Sequence, residues 1–114
     1  MSTYIKHLPQ ADASKLNDQI QFKTNEVNKE ILVARKDLMM VLFAVDKDAV
    51  IAKHSTTGDA LVQILEGVAQ ITIADKEHIV HGGQFIVLPA TIPHELLAIE
   101  AFKMLLTIVK PEGK

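Results

Sequence analysis

The chain has 114 residues, 48% of them hydrophobic and 23% charged, which suits one globular domain and excludes a chain too polar to offset the entropy of ordering. Twelve Lys and Arg against fourteen Asp and Glu leave a formal net charge of -2; no global field draws it to phosphate backbones or anionic lipid, so nucleic acid is not an expected partner. There is no cysteine, which excludes disulfides, thiolate metal sites and a Cys nucleophile.

The first residues, MSTYIKHLPQADASK, lack the apolar core of a signal peptide, and no run reaches the length of a membrane span. The expectation is a cytoplasmic protein with no membrane partner. Residues 1–29 are more polar than the rest and read as an arm packing on the domain. Within the arm, residues 11–16 suit a short helical turn, and Ile20 and Phe22 alternate with polar neighbours as in a strand laid on a sheet edge.

Residues 30–110 read as the domain itself and 111–114 as a tail. The runs EILVA, LMMVLFAV, AVIAK, ALVQIL, AQITIA, EHIV, QFIVLP, HELLAI and FKMLLTIV are short, apolar and rich in β-branched residues, and turn-forming residues separate them. No gap is long enough for a crossover helix, so the strands are mainly antiparallel and the class is all-β, a sandwich or small barrel. LMMVLFAV and FKMLLTIV are apolar on both faces, which calls for a second layer outside the barrel; a homodimer is the simplest way to supply it. LEG followed by AQITIA reads as a strand, a glycine bend and a returning strand. LPATIPH reads as a loop stiffened by Pro89 and Pro93 that delivers His94 at the start of the next strand, where a pocket mouth would lie.

Two segments within residues 48–98 carry more than generic β structure. DAVIAKHSTTGDALVQILEG fits the spacing GxxxxxHxHxxxExxxxxxG, with His54 at the first histidine and Gly67 at the last glycine; Asp48, Thr56 and Ala60 stand for the opening glycine, the second histidine and the glutamate. GQFIVLPATIPHELLA fits GxxxxxPxGxxHxxxN, with Gly83, Pro89 and His94 in register, Thr91 for the inner glycine and Ala98 for the asparagine. On these residues the chain resembles the cupin superfamily, in the form of a small single-domain microbial cupin. The resemblance implies an antiparallel β-barrel of jelly-roll kind, a double-stranded β-helix, with one interior pocket.

The resemblance also implies a metal site of three histidines and one carboxylate, of which only His54 and His94 remain. Thr56 offers a neutral hydroxyl and Ala60 no donor, so the candidate cofactor is at most a weakly held divalent transition metal on His54 and His94. Each histidine also has a plainer reading. His54 suits a strand-end residue bonded to backbone or to a neighbouring hydroxyl, and His94 can cap its loop or serve proton transfer or anion contact. Thr56, Val62 and Ile64 complete the expected pocket lining. Gln63 falls on the outer face and Asp59 in a turn; His7, His78 and His81 read as structural or surface residues, and Met39, Met40 and Met104 as core.

Three functions stay open on this reading. One is a small-molecule-binding barrel with the ligand's polar end on His54, Thr56 and His94. Another is a small enzyme, either metal-dependent with a reduced ligand set or metal-free with the two histidines as acid and base. The third is a dimeric protein-interaction module.

Overall fold

The computed structural model describes residues 4–111. Among the described residues seven strands form one antiparallel sheet: β1 (Val27–Ala34), β2 (Leu38–Val45), β3 (Val50–His54), β4 (Asp59–Ile73), β5 (Lys76–His81), β6 (Phe85–Leu88) and β7 (His94–Val109). The first strand begins at Val27, three residues ahead of the expected domain start, because Val27 continues the ladder with Val45.

Two long strands turn this sheet into a barrel. The C-terminal part of β7 pairs with β2 and with the N-terminal part of β4, which also pairs with β6. The N-terminal part of β7 pairs with β3 and with the C-terminal part of β4, which also pairs with β5. Both halves thus share the same pair of strands, and the sheet folds over where β4 and β7 bend. The bend in β4 carries the register shifts between Ile64 and Ala69. They move the buried side chains from even positions (Ala60, Val62, Ile64) to odd ones (Ala69, Ile71). Gly67 sits at this corner with φ of 88°, and a Cβ there would collide with the Ala101 carbonyl oxygen and Phe102. The glycine is needed, but the expected reversal is not made: AQITIA continues β4 instead of returning beside it, because both segments keep β7 as their partner.

The core between the two halves holds Val45, Val62, Ile64, Ile71, Phe102 and Met104, all nearly solvent-free. A second apolar cluster lies on the outer face of β1, β2 and β7, where Leu32, Leu42 and Leu105 pack with Ile20 and with Leu8 and Leu16 of the arm. The layer expected from a second subunit is supplied, over this face, by the chain itself.

The arm differs from its sequence reading in two details. Its helical turn is a 3-10 turn at Leu16–Gln19, not at residues 11–16. Ile20 and Phe22 join no ladder; Ile20 is buried against the outer face, and Phe22 lies beneath the Lys103 ammonium, 5.1 Å from the ring centroid. Side-chain bonds take the place of a strand ladder there. Lys103 Nζ donates to the Asn17 carbonyl oxygen at 2.5 Å, Asn17 Nδ2 donates to Glu66 Oε1 at 2.9 Å, and Asn28 Nδ2 donates to the Gln21 carbonyl oxygen at 2.8 Å. No helix among the described residues is long and apolar enough to cross a membrane.

Candidate functional site

Two strand ends bring the histidines together. His54 closes β3, His94 opens β7, and the two are cross-strand partners. The preceding loop is fastened at both sides: Ala90 N–H donates to Asp59 Oδ1 at 2.8 Å, and Thr91 N–H donates to the Thr56 carbonyl oxygen at 2.8 Å. The four positions where the resembling motifs have glycine all take positive φ: Asp48 67°, Gly67 88°, Gly83 91° and Thr91 68°. The backbone keeps the motif's shape even where Asp and Thr have replaced glycine.

Behind the histidines is a cavity of about 40 Å³. Phe43, Val62, Leu88, Met104 and Ile108 form much of its apolar wall, Ala60 lines it without a polar atom, and His54, Thr56 and His94 are its polar members. Of the expected lining, Ile64 is the exception: it points inward on β4 and is buried, but it belongs to the packed core and does not border the cavity. Gln63 is exposed, and Asp59 opens β4. His78 and His81 lie on β5 away from the cavity, and His7 faces Glu30 at 3.2 Å.

His94 is 2% exposed, whereas His54 is exposed. Each ring meets the carbonyl oxygen two residues before it: His54 Nδ1 lies 2.7 Å from the Ala52 oxygen, and His94 Nδ1 lies 3.2 Å from the Ile92 oxygen. The two Nε2 atoms are 3.2 Å apart, with the ring planes at 71°. Burial lowers the His94 pKa from its usual 6.5, and the charge of a protonated His54 beside it acts in the same direction, against the weaker pull of the Ile92 carbonyl. His94 is therefore held in its neutral form near neutral pH.

The metal centre implied by the resemblance does not fit these residues. The Thr56 hydroxyl donates to the Gly58 carbonyl oxygen at 2.6 Å, and Ala60 has no donor atom. Among the described residues no group of three or more His, Cys, Asp or Glu is placed to hold an ion. Two imidazoles without a carboxylate bring no negative charge to a divalent cation, so no chemistry is routed through one.

Sequence reading missed most of the wall. Phe43, Ile51, Leu88, Leu96 and Leu106 were not singled out, and Met104 was read as plain core. The signal was available on β7, where stepping by two from His94 meets Leu96, then Met104, Leu106 and Ile108 on the inward face.

Comparison with known proteins agrees with this geometry. A family model described as a cupin domain matches residues 41–109. A conserved protein of unknown function from Streptococcus pyogenes is 43% identical, with a TM-score of 0.95 and coverage of 98% of each chain. A cupin superfamily protein from Desulfitobacterium hafniense is 26% identical, with a TM-score of 0.91, over 96% of this chain and 100% of that one. A cupin 2 conserved barrel domain protein from Leptotrichia buccalis is 34% identical, with a TM-score of 0.79, over 82% of this chain and 46% of that one. No curated protein sequence matches the chain.

Proposed function

The chain belongs to the cupin family, and from that premise we propose that its barrel binds a small, largely apolar molecule whose polar end rests on His54, Thr56 and His94. The carrying observation is the lining: an apolar cavity with its few polar groups gathered on one side, the usual makeup of a small-molecule site. A thermal-shift screen of metal-free protein tests it, because a compound that binds only the folded state raises Tm by mass action. Hits should lose their effect in Leu88→Trp, which fills the cavity; hits that survive that substitution bind elsewhere and remove the proposal.

Binding without a metal has its own test. Protein purified without a histidine tag should retain less than about a tenth of an equivalent of transition metal, since two neutral nitrogens compete poorly for it. The pair Thr56→His and Ala60→Glu restores the motif's donors, and retention of nickel or zinc should then rise by about tenfold or more. Stoichiometric metal in the unaltered protein would contradict this account.

A second reading, acid–base catalysis without metal, is supported by the buried neutral His94, whose pKa is displaced below 6.5. Deuterium uptake from heavy water into a bound ligand, lost in His94→Ala, is the expected sign. The exposed side chains of Phe85 and Val87 on the edge strand β6 support a homodimer as the further partner. Light scattering that gives a monomer at every concentration removes that partner.

A further inference from the structure

We infer that Ala60 sets the shape of the ligand's buried end: a saturated, branched group of about three or four carbons, to the exclusion of aromatic rings and longer chains. This rests on the binding reading above, to which it adds the chemical class of the buried group. Only the apolar end of the ligand is concerned.

Strand register arranges one wall of the cavity in rows. Met39, Ile108, Ala60 and Leu88 are neighbours across β2, β7, β4 and β6. Their row lies at the mouth, because β4 starts at Asp59 and β6 ends at Leu88, beside the loops that carry Thr56 and lead into His94. Two residues deeper, Leu106 pairs with Val62; two deeper again, Phe43, Met104 and Ile64 form the third row. Alternation along each strand keeps the rows on the inner face.

The first and third rows limit the space in different directions. At the mouth, Ala60 is the smallest apolar side chain on the wall, every other one being Val or larger. A notch therefore opens on β4 between Ile108 and Leu88, at the place where the motif has glutamate. At the third row Phe43 and Met104 form the floor. Behind them lie Ile64, Val45 and Phe102, packed and nearly solvent-free. A longer ligand would have to displace side chains from a close-packed core, which resists added volume.

Volume gives the size. One water needs about 10–15 Å³, and the cavity offers about 40 Å³. A methyl or methylene group is close to a water in size, so the same space holds about three or four carbons. An apolar cavity that binds benzene measures about 150 Å³, far more than is available here. With a notch to the side at the mouth and a floor two rows in, a short stem with a branch fits where a straight chain of equal volume does not.

The experiment is an NMR titration of the full chain with four primary alcohols that share one polar end: isobutanol, butan-1-ol, hexan-1-ol and benzyl alcohol. It is read at the methyl groups of Ala60, Val62, Leu88 and Met104. Isobutanol should bind about threefold tighter than its straight isomer and at least about tenfold tighter than the other two. Apolar burial alone predicts the reverse order for hexan-1-ol, about fourfold tighter for each added methylene. Bound isobutanol should show an intermolecular Overhauser effect from its branch methyls to the Ala60 methyl, a readout that needs no variant. Ala60→Val should abolish the preference for isobutanol over butan-1-ol, and Met104→Ala, which lowers the floor, should admit hexan-1-ol. Hexan-1-ol or benzyl alcohol binding tightest, or bound isobutanol with no contact to Ala60, overturns this inference while the binding function stands. No shift at these methyls from any of the four overturns both.

Discussion

Thr91 holds a backbone conformation that its side chain resists. Its φ is 68°, and for an L-residue the left-handed region costs roughly 1–2 kcal/mol, with β-branched residues the least suited to it. The side chain is exposed, so no buried packing offsets that strain. Thr91→Gly should relieve it, less the roughly 0.5–1 kcal/mol that glycine adds in unfolded-chain entropy. The net gain is about 0.5–1 kcal/mol, or about 2–4 °C in Tm. An unchanged or lower melting temperature by circular dichroism would mean that the Thr91 side chain stabilises the loop in another way. His94 makes the other prediction at this scale. Its folded pKa lies below the usual 6.5, so between those two values the unfolded chain holds more protons than the folded one. Stability therefore rises with pH through that window. Its contribution is fully present above 6.5 and is lost as pH falls through the lowered folded value. Urea midpoints measured from about pH 5 to 8 should follow this course and flatten in His94→Gln. An equally steep dependence in the variant would assign the effect to other groups.

Strand boundaries were legible wherever polar residues coincide with a reversal of the chain. LMMVLFAV is β2 to the residue. Inside β4 and β7 the same rule failed, because Gly67 and the Glu100–Ala101 interruption lie within strands that bend without reversing. A change of side-chain phase, not a break in hydrophobicity, marks such a corner, and it shows only when partner strands are known. Two glycines separate backbone strain from crowding. Gly67 and Gly83 have φ of 88° and 91°, yet a Cβ on Gly67 meets the Ala101 oxygen and Phe102 while one on Gly83 meets nothing within 4 Å. Gly83→Ala should cost about 1 kcal/mol, the left-handed penalty alone. Gly67→Ala should cost about 3 kcal/mol or more, because β4 and β7 must separate at the corner. Equal losses in denaturant unfolding would show that the corner yields without strain.

At the scale of the molecule, the lining of the candidate site was readable in part because the motif spacing is kept where its residues are replaced. His54, Thr56, Val62 and His94 meet at one cavity, whereas Ile64 falls in the packed core because a period-two face does not reveal where a cavity stops. The arm was harder to read. Its apolar residues are too sparse to form a periodic pattern, so the two-sided hydrophobicity of β2 and β7 pointed to a second subunit. In the structure Ile20 is 5% exposed and packs in a cluster with Leu32, Leu42 and Leu105. Lys103, 7% exposed, secures the adjoining turn through the Asn17 carbonyl. From these contacts we expect the arm to fold as one unit with the barrel. If so, Ile20→Ala should cost what a core truncation costs, about 2–4 kcal/mol, with a single transition retained in urea. An arm that merely rests on the barrel would give a loss below about 0.5 kcal/mol, the range of an ordinary surface substitution. The outer face of β2 and β7 would then again need a second copy to cover it.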